Sequence, residues 1–247
     1  MMRWAPLLTL LTGLLLLGPV TAWFGRRVQG LVFLITGHAV AAAYVYYLLL
    51  FPGTLLHELS HLLSARLLGM RTGRLSMRPT VRSDGTIQLG AVQVERSDAL
   101  RESIVGFSPL IVGTLVMLFL ARWRFDIANI ADIPRLFAHI SAILAVPDVW
   151  IWLYLIMSVG NAMLPSASDR RVWLPFAFCS LLLMGALYAL GSFLAPAGGV
   201  ERWGFAVVEN LAFATLGTVV LDLLIGGMLW IAEMVSGLLL NRQVRYG

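Results

Sequence analysis

Long apolar runs separated by short charged clusters dominate this chain. The first run covers residues 4–22 and the second residues 28–51, so Arg26-Arg27 is expected to separate two spans. Phe51-Pro52-Gly53 then interrupts the pattern, because proline restricts the residue before it and glycine relaxes the backbone. Residues 54–68 resume as a short helix. A single helix over 28–68 would be about 60 Å long, twice a bilayer core, so a turn is predicted at Pro52-Gly53. Residues 69–101 form the main polar segment. Within it Asp84-Gly85 is a turn signal between Leu75–Val81 and Thr86–Val94, two segments able to form strands. Later runs cover 103–121, 136–147, 149–165, 172–195 and 205–240. The last fits one extended helix or two tight spans, and Asp222 and Gly226-Gly227 leave both open. The pattern predicts an all-α polytopic membrane protein of about six to eight transmembrane helices. It would be a single domain over 1–247, with 69–101 as a short cytoplasmic loop able to hold strands.

Composition sharpens that expectation. Hydrophobic residues make up 59% of the chain and charged residues 13%, against about 25% charge in a typical soluble domain. The mean hydropathy is +0.85. The positive side chains are all arginine and sit at the ends of apolar runs, which points to membrane anchoring and away from nucleic acid. Arg71, Arg74, Arg78, Arg82, Arg96 and Arg101 outnumber Asp84, Glu95 and Asp98, which places 69–101 on the cytoplasmic side. Putting Arg26-Arg27, Arg170-Arg171, Arg242 and Arg245 on that side too leaves Arg122 and Arg124 outside, against the rule. A lone Cys179 excludes an internal disulfide framework. The first run imitates a signal peptide, but Trp23 and Phe24 follow Pro19-Val20-Thr21-Ala22, and an uncleaved anchor is expected.

The candidate chemistry lies in Leu55-Leu56-His57-Glu58-Leu59-Ser60-His61, an H-E-x-x-H match in an apolar setting. Residues four apart share a helix face, so His57 and His61 can grip one metal ion. Glu58 beside them can act on a metal-bound water. A catalytic zinc takes three protein ligands and keeps a position for water. The other histidines are His38 and His139, and the best carboxylate is Asp169, beyond the 149–165 run. His38, mid-span ahead of the active helix, is its main rival on the residues alone.

Phe51-Pro52-Gly53-Thr54-Leu55-Leu56-His57-Glu58-Leu59-Ser60-His61, taken with Asn161, Pro165 and Asp169, resembles the site-2 protease family of intramembrane zinc metalloproteases. That family carries H-E-x-x-H on a membrane helix and a later N-x-x-P-x-x-x-x-D-G segment. Here Asn161 and Asp169 keep the family spacing, while the proline is one position late and Arg170 replaces the glycine, as in a divergent member. The resemblance implies one Zn2+ per chain held by His57, His61 and Asp169. It implies Glu58 as general base and Asn161 as a residue that positions substrate or stabilises the oxyanion.

The expected activity is hydrolysis of peptide bonds in or near transmembrane segments of membrane proteins. Expected substrates are single-pass proteins or signal-peptide remnants. A helical substrate must unwind before its carbonyl can be attacked, and the 75–94 region could pair with the extended segment. The expected location is the bacterial cytoplasmic membrane, with the active site toward the cytoplasm. A non-cleaving binder of the same fold and a membrane transporter are the alternatives. Intact Glu58 argues against the first, and the scarcity of polar groups in the spans against the second.

Overall fold

The computed structural model describes residues 5–77, 80–81, 87–88, 90–125, 144–163, 199–242 and 244; for 80–81, 87–88 and 199–205 it describes the backbone alone. His139, Asp169, Arg170, Arg171, Cys179, Pro165 and the Asp84-Gly85 turn lie outside the described residues. The elements in chain order are α1 (Ala5–Thr36), α2 (Ala39–Leu67), β1 (Thr72–Ser76), β2 (Thr80–Val81), β3 (Ile87–Gln88), β4 (Ala91–Val94), α3 (Ala99–Phe125), α4 (Val149–Ala162) and α5 (Gly199–Leu240). The described chain is mostly helical. Among the described residues four helices are long and apolar enough to cross a membrane: α1, α2, α3 and the Ala206–Leu240 part of α5. The shorter apolar α4 packs among them.

Two expected breaks are absent, each for a reason that lies elsewhere in the chain. Arg26-Arg27 does not divide two spans, because α1 runs through it to Thr36. Arg27 is accommodated inside the helix by donating to the Glu233 carboxylate of α5 at 3.0 Å, with its guanidinium also over the Trp23 ring. Thr21 meets Asp222 and Arg27 meets Glu233, so α1 and α5 run side by side in the same direction. The reversal comes instead at Gly37, where the amide N–H donates to Phe33 O at 2.7 Å before α2 begins.

Pro52-Gly53 does not turn the chain either, because α2 continues from Ala39 to Leu67. Proline removes one helical hydrogen bond, the one to the carbonyl four residues back. That carbonyl, Leu48 O, faces the Tyr154 hydroxyl of α4 at 3.5 Å. The next amide, Gly53 N–H, donates to Ser158 Oγ of α4 at 3.0 Å. Polar groups of a neighbouring helix thus re-satisfy the interrupted backbone, which is how proline survives inside a membrane helix. Gly53 also allows the contact sterically, since a Cβ there would lie 1.9 Å from Ser158 O.

The polar segment folds largely as its pattern predicts. Gly69, at φ +71°, ends α2. Met70 N–H then donates to Ala65 O, closing the wider turn of a Schellman cap. β1 pairs antiparallel with β4, and β2 with β3, the inner pair enclosing Asp84-Gly85. Tyr47 of α2 donates its hydroxyl to Met77 O, tying the hairpin back to the helices. Asp98 caps α3, its Oδ1 accepting from Arg101 N–H at 3.0 Å. That backbone donor holds the exposed Asp98 carboxyl below its ordinary pKa.

Three apolar clusters lie between the described helices. The one with most buried residues packs Leu17 of α1, Met117 of α3, Ile156 and Val159 of α4 and Val219 of α5 together, and smaller ones form around Phe24, Val28 and Met157 and around Ala65, Met70 and Val105. Arg124, which the expected topology left against the charge rule, is tied up locally. Its guanidinium lies 4.6 Å from the Trp152 ring centroid and 5.1 Å from that of Trp123, and it donates to Pro147 O at 3.2 Å.

Candidate metal centre

His57 and His61 project from one face of α2, with Nε2 of one ring 3.1 Å from Nε2 of the other. The rings are nearly perpendicular, at 85°. What holds them is backbone from two other helices. His57 Nδ1 lies 2.6 Å from Ala162 O, at the end of α4. His61 Nδ1 lies 2.9 Å from Val105 O, near the start of α3. Both carbonyls are released by local sequence. Ala162 is in the last turn of its helix, where carbonyls lose their intrahelical partners. Val105 stands four residues before Pro109, which has no N–H to offer it. Ser108 Oγ also donates to Val105 O, and Ser64 Oγ lies 3.0 Å from Ser108 Oγ, so the joint between α2 and α3 is hydrogen-bonded throughout.

These partners decide where the protons are. A carbonyl oxygen only accepts, so each Nδ1 must carry its hydrogen. In the neutral rings both Nε2 atoms then present lone pairs, and these face one another across 3.1 Å. Two lone pairs so placed repel unless a cation lies between them. Two zinc–nitrogen bonds at a tetrahedral angle would separate the nitrogens by roughly 3.4 Å. The two nitrogens are therefore spaced much as two ligands of one zinc ion would be, and the carbonyls stand where the outer partners that fix ring orientation stand in such sites.

Glu58 is next to His57 and buried, at 9% exposure. The polar hairpin reaches it: a Cβ on Gly90, one residue before β4, would lie 3.0 Å from Glu58 Cγ and 3.3 Å from its Oε1. The hairpin thus reaches the Glu58 side chain, a placement that pairing signals alone do not specify.

The other expected site residues fall out differently. His38 is exposed at the first cap of α2, about 28 Å along the helix from His57 at 1.5 Å per residue. That distance removes it as a third ligand. Its place is not mid-span either, since it stands at the N-cap between α1 and α2. Asn161 is buried one residue before Ala162, with Nδ2 donating to Met157 O at 3.0 Å and to Asp222 Oδ1 at 2.7 Å. Both amide hydrogens are committed, so donation to an oxyanion would require the amide to turn. Asp169 lies outside the described residues. Among the described residues no set of three His, Cys, Asp or Glu side chains is placed to hold a metal.

Several contributors escaped the reading of motifs. Pro109 and Ser158 carry no chemistry of their own, and Val105 and Ala162 act only through carbonyls. The available signal was a proline in an apolar run, four residues after the carbonyl it releases. Asp222 was noticeable as a carboxylate in an apolar run, but nothing in the run named its partner. No family model, no curated protein and no solved structure matches this chain.

Proposed function

We propose that this chain is an intramembrane zinc metalloendopeptidase that hydrolyses peptide bonds in or near transmembrane segments of other membrane proteins. The observation that carries the reading is the pair of Nε2 atoms 3.1 Å apart, each ring set through Nδ1 against a backbone carbonyl. A buried glutamate adjoining such a pair, on an H-E-x-x-H helix, belongs to hydrolytic chemistry more than to storage or transport.

In this proposal His57 and His61 supply two ligands and Asp169 the third. Support for Asp169 is indirect. The described chain leaves the site at Met163, one residue past the carbonyl that holds His57. The six residues onward to Asp169 extend at most about 20 Å, which keeps its carboxylate within tether of the histidines. A zinc ion there would supply Lewis acidity and acidify a water molecule. Glu58 takes the proton from that water at its carboxylate and passes one to the leaving amine. Asn161, with its hydrogens committed, serves through positioning. The hairpin that passes Glu58 at Gly90 delivers an extended substrate strand to the base by edge pairing.

The proposed substrates are single-pass membrane proteins or signal-peptide remnants. The proposed location is a bacterial cytoplasmic membrane, crossed six to eight times, with the site toward the cytoplasm. Arg66, Arg71, Arg74, Arg96 and Arg101 lie on the end of α2, the hairpin and the start of α3, around the site, and the assignment of that side rests on the polar segment most of them belong to. Arg27 and Arg124 lie toward the other end, engaged by Glu233 and by tryptophans, which corrects the expectation that Arg26-Arg27 shares the side of 69–101.

The test is zinc stoichiometry on the purified protein, with cleavage of candidate single-pass substrates. One zinc per chain is expected, lost in His57→Ala, His61→Ala and Asp169→Ala and unchanged in His38→Ala. Zinc binding that survives His57→Ala would overturn the assignment. Zinc binding that survives Asp169→Ala would leave the pair in place but require a different third ligand.

A further inference from the structure

Asp222 is fully buried in α5, inside a membrane-spanning stretch. Carboxylates at such depth are expensive and tend to serve function. Its described partners are two. Asn161 Nδ2 donates to Oδ1 at 2.7 Å, and Thr21 Oγ1 of α1 donates to Oδ2 at 3.3 Å. The orientation of the Asn161 amide follows from chemistry. Met157 O can only accept, so the amide nitrogen must face it, and the same nitrogen reaches Asp222. Asn161 Oδ1 is then left buried and without a hydrogen-bond partner among the described residues. An amide held this way, with its oxygen unpaired, is fixed by what holds its nitrogen.

What it fixes is the last turn of α4. Asn161 immediately precedes Ala162, whose carbonyl sits 2.6 Å from His57 Nδ1. On the other side of the same helix Gly160 is packed against α5, where a Cβ would meet Thr218 Oγ1 at 2.1 Å. The end of α4 is therefore braced by α5 on one side and presents its carbonyl to α2 on the other.

We propose that Asp222 is a positioning residue for the metal centre. By holding the Asn161 amide, it sets the end of α4 so that the Ala162 carbonyl keeps His57 in the Nδ1–H tautomer with Nε2 turned toward His61. The inference rests on the zinc reading above and adds a residue from the far end of the chain to it.

The experiment compares zinc affinity, by chelator competition, and the visible absorption of the Co2+-loaded protein. The proteins are the native one, Asp222→Leu, Asp222→Asn, Asn161→Ser and the Asn161→Ser/Asp222→Leu double variant. Asp222→Leu is expected to weaken zinc binding roughly 10–100-fold, the range for loss of an outer partner, and to displace the Co2+ spectrum. Asp222→Asn keeps an acceptor oxygen for Asn161 and is expected to restore both readouts. Asn161→Ser should match Asp222→Leu, and the double variant should be no weaker than either single, since one link is broken in all three. Native affinity in Asp222→Leu, or additive losses in the double variant, would overturn the proposal and leave the zinc assignment standing. Should Asp222→Leu fail to fold, Asn161→Ser decides: weakened zinc with Asp222→Asn near native supports the link, and native affinity in Asn161→Ser overturns it. A native protein that binds no zinc through His57 and His61 ends the underlying reading, and this inference with it.

Discussion

Glu58→Gln is expected to leave zinc bound at its native stoichiometry while peptide-bond hydrolysis falls by about 10²–10⁴-fold, the contribution of a general base. The substitution preserves the size and burial of the side chain, so the His57–His61 pair should be undisturbed. Glutamine can donate and accept hydrogen bonds but cannot take a proton from water at neutral pH. The informative readout is the pair of measurements together, bound zinc and turnover of a single-pass substrate. Lost activity with lost zinc would mean that Glu58 supports the metal site rather than the chemistry. Unchanged turnover would remove Glu58 as the base. Because Gly90 stands against this side chain, a bulkier residue at 90 would confound the result, and the hairpin should be kept native in this comparison.

Gly53→Ala is expected to damage the site from outside the motif. The added Cβ would lie 1.9 Å from Ser158 O and 2.9 Å from Ala162 Cβ. Neither is the far end of a flexible side chain, so α4 must move away from α2. Overpacking of this kind costs about 1–3 kcal/mol in stability. The larger consequence is local, because the displaced segment carries the carbonyl that holds His57. Zinc affinity should fall roughly 10–100-fold, as when an outer partner is lost. A matched control is Gly227→Ala in α5, where nothing lies within 4 Å of the added atom. There the change should be neutral or stabilise the helix by roughly 0.5–1 kcal/mol. Thermal unfolding and chelator competition on both variants test the argument. Equal behaviour of the two would show that the α2–α4 contact does not support the metal pair.

Both predictions depend on features that differ in how far the sequence reveals them. The four-residue spacing of His57 and His61 is a local property of a helix, and it carries over directly into two Nε2 atoms 3.1 Å apart. The hairpin was legible only as segments able to form strands around the Asp84-Gly85 turn signal, and the observed pairing encloses that signal. The continuity of α1 and α2 was not legible. A proline or an arginine pair in an apolar run reads as a boundary when its partners are unknown. Those partners are Ser158 and Tyr154 for the Pro52-Gly53 step and Glu233 for Arg27, all more than a hundred residues away. His38 was a rival because the run 28–51 read as one span with it inside; the reversal at Gly37 puts it at the helix cap instead.

By itself the sequence determined that the chain is apolar enough for several membrane helices, that two histidines share one helix face beside a glutamate, and that a polar segment able to form strands follows them. These are consequences of composition and of short-range periodicity, which need no partner to be read. Only the tertiary structure decided which breaks in the pattern are real, that His38 is too distant to serve the site, and which carbonyls fix the histidine tautomers. It also joined Asp222 to Asn161. The reason is physical: an interrupted helix, a buried charge or an imidazole ring takes its state from whatever group satisfies it, and here those groups arrive from other helices.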